Sequence, residues 1–177
     1  GHIVLSDDKQ ARRILVQPVD DAGALGVANA SQIRAVGEER VNQGAAFMAQ
    51  GISRGSVGTS HPRTGVCLAT SGPGAMNLVT GIADARLDSI PIIAITGQAP
   101  SQYVGTSYHQ EVGLEQLFSD AAEYSQTVMT PDQLPAVMLQ ACKAALSDPG
   151  VAHISVPTDI AGKKVTPNRD DYSIGSR

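Results

Sequence analysis

The stretch Gly65–Gln98, GVCLATSGPGAMNLVTGIADARLDSIPIIAITGQ, decides the fold class. Its first five residues, Gly65–Ala69 (GVCLA), are apolar without alternation, as a strand covered on both faces must be. A turn rich in Ser, Gly and Pro follows at Ser71–Gly74. From Gly74 to Leu87, Met76, Val79, Ile82 and Ala83 recur near the helical period. A second unbroken run, Pro91–Thr96 (PIIAIT), completes a strand–helix–strand unit, whose geometry sets two parallel strands side by side under a crossing helix.

The same alternation continues outward. Gln43–Arg54 (QGAAFMAQGISR) carries Ala45, Ala46, Ala49 and Ile52 at helical spacing, a flat face of small residues that predicts close packing. Weaker strands are predicted at Arg13–Val19, Ile33–Val36, Glu123–Val128 and Ala152–Val156. Thr130, Pro131 and Gln133 have the spacing of a capping box opening a helix to about Leu146; Pro135 conflicts with that register and favours a start near Leu134 instead. These elements predict an α/β protein, a three-layer α/β/α domain with a mostly parallel, doubly wound sheet, over residues 31–160. Residues 1–30 read as irregular. Residues 161–177 (AGKKVTPNRDDYSIGSR) lose the apolar period, as a linker or exit tail would.

Composition narrows the function classes. The 177 residues are 42% hydrophobic and 17% charged, which excludes disorder and suits one domain with a real core. Net charge is −4 and Lys and Arg do not cluster, so nucleic acid is not an expected partner. No run approaches the ~20 apolar residues of a membrane span, and a cytoplasmic protein is expected. Cys67 and Cys142 sit in separate apolar runs, without metal-ligand spacing, and read as buried free thiols of a reduced compartment. Eighteen glycines and few charges point to surfaces covered by a partner; a compact monomer with a Ser/Gln/Thr-rich exterior is the alternative.

Thr70–Asn77 (TSGPGAMN) follows a strand and opens a helix, so it aims backbone N–H groups into the crevice where open parallel sheets bind ligands. A glycine turn serving helix–strand packing alone is the other reading. Three known loops do not fit. The stretch lacks the lysine of a Walker A loop; Asn77 stands where a dinucleotide loop has its third glycine; and Ala69 and Pro73 replace the glycines of a nucleophile elbow. Ser101–Gly113 is aperiodic and longer than the roughly two to six residues of a usual connection, which marks a functional loop.

With QGAAFMAQGISR (43–54), the Gly65–Gln98 stretch and GTSYHQE (105–111), the chain resembles the N-terminal, pyrimidine-binding domain of thiamine diphosphate enzymes of the acetolactate synthase, pyruvate oxidase and glyoxylate carboligase branches. The resemblance implies a cofactor, thiamine diphosphate, shared between this domain and a C-terminal diphosphate-binding domain of another subunit, hence a homodimer or higher oligomer. It implies Mg²⁺ held through that C-terminal domain, since no Gly-Asp-Gly followed at about thirty residues by Asn occurs here. FAD is possible in the parent enzyme, on a middle domain. In the family a glutamate hydrogen-bonds the aminopyrimidine and favours the imino tautomer that removes the C2 proton.

This sequence departs from that pattern in three places. Asn42 stands in the glutamate's register, with Glu39 the alternative if the register slips. The resemblance makes Asn42, Glu39 and Gln110 the catalytic candidates, and Ser71, Gly72, Pro73, Gly74 and Asn77 the cofactor-binding ones. DDAGALGVANASQ (20–32) is too short for the elements relatives carry there, so the opening part, residues 1–30, is expected to be rearranged, trimmed or engineered. His109 replaces a usual phenylalanine, either near the substrate or as a surface loop residue; His61 and His153 receive no role. The expected function is the pyrimidine-binding domain of an enzyme that decarboxylates or ligates 2-oxo acids, inactive in isolation, from a longer chain or a split enzyme. A non-catalytic assembly or regulatory module that keeps the fold is the alternative.

Overall fold

The computed structural model describes residues 35–36, 42–56, 58–59, 63–147 and 150–164. Within them five strands form one parallel sheet: β1 (Ala35–Val36), β2 (Gly65–Ala69), β3 (Ile92–Gln98), β4 (Tyr124–Thr127) and β5 (Val151–Pro157), in the order β1-β2-β3-β5-β4. The chain therefore builds one edge in sequence, crosses to β4 at the far edge and returns to insert β5 beside β3. Each expected strand among the described residues is found within a few residues. Arg13–Val19 lies outside them, as does the beginning of Ile33–Val36.

Among the described residues five α-helices accompany the sheet: α1 (Asn42–Arg54), α2 (Pro73–Leu87), α3 (Leu114–Leu117), α4 (Leu134–Ser147) and α5 (Thr158–Ala161). Alternation along the strands divides the core into two layers. Cys67, Ile92, Ala94 and Val151 face α1, α2 and α3, where they meet Ala45, Ala49, Leu78, Ile82 and Phe118. Val66, Ile93, Ala152 and Ile154 face the opposite side and meet Val137, Ala141 and Ala145 of α4. This is the predicted three-layer α/β/α arrangement. The small residues of α1 let it lie nearly on the sheet: a Cβ on Gly65 would fall 2.0 Å from the Ala49 carbonyl oxygen.

The start of α4 differs from the capping-box expectation. Thr130 makes no side-chain cap, Pro131–Gln133 form a 3₁₀ turn, and Gln133 Oε1 accepts from the Met129 N–H at 2.8 Å. The α-helix begins at Leu134, the alternative start, which puts Pro135 in the first turn, where its missing N–H has no helical partner to lose.

Burial raises the Cys67 thiol pKa to about 12, and desolvation also raises that of Cys142; both are free thiols without the depressed pKa of a reactive cysteine. Among the described residues no helix is long and apolar enough to cross a membrane.

Candidate functional site

β2 ends at Ala69, and the chain turns through Thr70–Gly72 directly into α2 at the carboxyl end of the sheet. Gly72 makes the turn possible. It has φ 60°, a backbone region that side-chain-bearing residues avoid, and it precedes Pro73 at the first position of α2. Its buried α-carbon also touches the neighbouring loop, since a Cβ there would sit 2.6 Å from the Gln110 carbonyl oxygen. Two residues further along, Gly74 lies against α1: a Cβ on it would meet Asn42 Nδ2 at 3.0 Å and Thr70 Cγ2 at 2.8 Å. Gly97, near the end of β3, backs the turn, its absent Cβ lying 3.3 Å from the Ser71 nitrogen.

Three separate segments thus converge. Asn42, first residue of α1 and buried, approaches the turn from one side, while Gln110 of the long loop closes on it from the other. Pro73 and Asn77 are exposed, Ser71 is half-buried, and Gly72 and Gly74 are buried. Glu39, the alternative to Asn42, lies outside the described residues. His109 is exposed on the loop.

The loop itself is tied at both feet. Ser101 donates its N–H to Asp159 Oδ1 at 2.8 Å and its hydroxyl to Oδ2 at 2.7 Å, bonds that hold the Asp159 carboxyl below its ordinary pKa. At the other foot, Gln98 Nε2 donates to the Val112 carbonyl at 3.1 Å while Gln98 Oε1 accepts from the Ala99 N–H. Between the feet, Tyr103 and Tyr108 stack with ring centroids 4.8 Å apart, and Glu111 accepts from the Gly105 and Tyr108 N–H groups. Gln98, Glu111 and Asp159 are hard to find in the sequence because each bonds wholly or partly to main-chain groups; the single clue is their position at a strand end or in an aperiodic loop.

The donor set can be tested against a ligand. Thr70–Asn77 and Ser101–Gly113 contain no Lys or Arg, so these two segments bring no cationic side chain to the crevice. It offers a buried amide at Asn42, the first-turn N–H groups of α2, and a wall stripped of side chains at Gly72 and Gly74. Those features can accommodate a flat heterocycle with a hydrogen-bonding edge, such as an aminopyrimidine.

A sequence model of the family described as "Thiamine pyrophosphate enzyme, N-terminal TPP binding domain" matches residues 12–122, more than half of the chain. The chain belongs to this family. It is 41% identical over 132 residues to Acetolactate synthase 3, chloroplastic, of Brassica napus, covering 74% of this chain and 20% of that protein. It is 45% identical over 122 residues to the Acetolactate synthase isozyme 2 large subunit of Escherichia coli K12, covering 68% of this chain and 21% of the relative. With the isozyme 1 large subunit of the same organism it shares 42% over 146 residues, 82% of this chain and 24% of the relative. The chain spans about a fifth of the length of these curated relatives. Thiamine diphosphate is the cofactor the family implies.

Proposed function

We propose that this chain is the pyrimidine-binding part of a thiamine diphosphate-dependent enzyme that decarboxylates or ligates 2-oxo acids, like the acetolactate synthases it is similar to. The observation that carries this reading is the meeting of Asn42, the Ser71–Gly74 turn and Gln110 at the carboxyl end of a parallel sheet. Asn42 and the turn, with Asn77 at its rim, hold the aminopyrimidine; Gln110 borders the side from which substrate arrives. When bound, the cofactor supplies a nucleophilic carbon for the carbonyl of a 2-oxo acid.

The chain's own residues bind, orient and exclude water. Gly72 and Gly74 carry no side chain, so a flat ring can lie against the main chain and the N–H groups of the first turn of α2. The Asn42 amide offers one acceptor and two donor hydrogens, which orients a pyrimidine, but it cannot give up and regain a proton as a carboxyl group does. Diphosphate and Mg²⁺ are assigned to a C-terminal domain of another subunit, because Thr70–Asn77 and Ser101–Gly113 carry no Lys or Arg. A homodimer or larger assembly follows. Phe47 and Met48 on α1 and Met76 on α2, 40%, 48% and 52% exposed, offer that partner apolar side chains. The free thiols, Cys67 buried and Cys142 only partly buried rather than fully as expected, accord with a cytoplasmic setting.

The test is reconstitution. With Mg²⁺ and thiamine diphosphate the 177-residue chain is expected to leave pyruvate unchanged, and addition of a diphosphate-binding domain to restore decarboxylation. Turnover by the chain alone overturns the reading. The amide at Asn42 favours a second reading, a non-catalytic assembly or regulatory module. Exchange of the cofactor's C2 proton in the reconstituted enzyme separates the two: a rate no faster than free cofactor supports the module.

A further inference from the structure

We propose that Glu111 is a positioning residue for the neighbouring Gln110, its carboxylate gathering the N–H groups of the Gly105–Tyr108 turn so that the Gln110 backbone is held against Gly72. The idea rests on the reading of Gln110 as a substrate-side residue.

Besides the Tyr103–Tyr108 stack and the two bonds from Thr106 to the Tyr103 carbonyl, the middle of the loop is held by Glu111. Its feet are fastened by Asp159 and Gln98, but residues 102–110 are all exposed. Within that span Ser107 and Gln110 have φ of 60° and 59°, and Gly105 has 87°. A non-glycine residue in the left-handed region costs on the order of 1 kcal/mol, so two of them within four residues need a compensating interaction. Glu111 supplies it. One carboxylate oxygen accepts from the Gly105 N–H, the other from the Tyr108 N–H at 2.9 Å, and the Glu111 N–H donates to the Tyr108 carbonyl at 2.9 Å. The turn therefore closes around one side chain. Its N–H groups, Gly105 first and Tyr108 second, hold the Glu111 carboxyl below its ordinary pKa, as bonds to the ionised form do.

The adjoining geometry shows what this fixes. Gly72 has room for a hydrogen but not a methyl group where the Gln110 carbonyl passes, so the two segments touch main chain to main chain. Loosening the turn releases Gln110 from that contact without disturbing Asn42, which meets the site through Gly74 on the other side.

Glu111→Gln discriminates. A glutamine has one acceptor oxygen, and its NH₂ faces a backbone donor, so one of the two bonds is lost and the other opposed. In the 177-residue chain, amide hydrogen exchange at Gly105 and Tyr108 is expected to quicken at least tenfold, with Phe118 unchanged. In the reconstituted enzyme, with pyruvate as probe, kcat is expected to fall at least tenfold while the C2-proton exchange rate of the cofactor stays within twofold. Glu111→Asp, which keeps the charge but is one methylene shorter, is expected to fall between. Unchanged amide exchange overturns the proposal whether or not the chain binds thiamine diphosphate. A parallel fall in turnover and C2-proton exchange also overturns it, since that marks general structural damage, and so does looser amide exchange with full turnover. Absence of C2-proton exchange in the unmutated enzyme counts against the functional reading instead, leaving the amide arm to judge Glu111.

Discussion

The two halves of this sheet hold their neighbours by opposite means. Around β2, contact depends on missing side chains: Gly65 lies under the Ala49 main chain, and a Cβ on Gly81 of α2 would stand 2.7 Å from the Ala46 Cβ of α1. Across β3, β5 and β4, polar side chains make the join. His153 Nε2 pairs with Thr96 Oγ1 at 2.9 Å, His153 Nδ1 with Ser125 Oγ at 2.8 Å, and Ser155 Oγ donates to Thr127 Oγ1 at 2.7 Å. A steric join tolerates no added atom and is indifferent to pH. A hydrogen-bonded join loosens group by group and feels protonation.

The largest effect is expected from Gly65→Ala. The new methyl would lie 2.0 Å, 2.5 Å and 2.8 Å from three main-chain atoms of Ala49, none of which can rotate away. Overpacking costs roughly 1–3 kcal/mol when side chains absorb it, and more when a helix must lift. A loss of about 4 kcal/mol or more is expected in urea unfolding, a large fraction of a typical domain's stability. A loss under about 1 kcal/mol would show that α1 does not rest on β2 as closely as described.

Second comes His153. It is fully buried and stacks on Phe118 with centroids 3.9 Å apart. A neutral imidazole has one donor and one acceptor nitrogen, so the two hydroxyls must take opposite roles, and a protonated ring would leave one N–H facing a donor unless that hydroxyl turned. Burial lowers its pKa from 6.5 to about 3. Between those values the unfolded chain binds the proton and the folded chain does not. The histidine's contribution is therefore complete above about pH 6.5 and declines by about 1.4 kcal/mol per pH unit as pH falls toward 3. His153→Ala is expected to cost about 3 kcal/mol at pH 7.5 and to remove that part of the acid slope. An identical pH dependence in both proteins would place the acid sensitivity elsewhere.

The same contrast explains what could be read from the sequence. β2, α2 and β3 stand out because unbroken apolar runs around a glycine turn have few other solutions, and observed and expected bounds nearly coincide. β4 (YSQT) reads weakly because its inward hydroxyls look like loop chemistry until β5 supplies their partners. His153 drew no role for a related reason: Thr96 and Ser125 are 57 and 28 residues away along the chain. In the site, Gly72–Gly74 was visible through turn chemistry, whereas Asn42 and Gln110 became candidates only through family resemblance. Glu111 stayed hidden because its partners are main-chain N–H groups, which carry no sequence signature.

The smallest of these effects belongs to a polar contact inside the glycine-packed half. Ser53, 1% exposed in the last turn of α1, accepts from the Gly65 N–H at 2.8 Å and donates to the Pro91 carbonyl at 2.6 Å. One hydroxyl thus links α1 to the start of β2 and the entry to β3. Ser53→Ala removes no packing volume beyond an oxygen, yet it strands a donor and an acceptor that water can reach only by parting the helix from the sheet. A loss of about 2 kcal/mol is expected, with amide exchange at Gly65 accelerated. If steric contact alone seats α1, the substitution should cost under about 0.5 kcal/mol and leave that amide protected. A loss equal to that of Gly65→Ala would instead make the hydroxyl the dominant tie, and the two halves of the sheet would then be held by the same means.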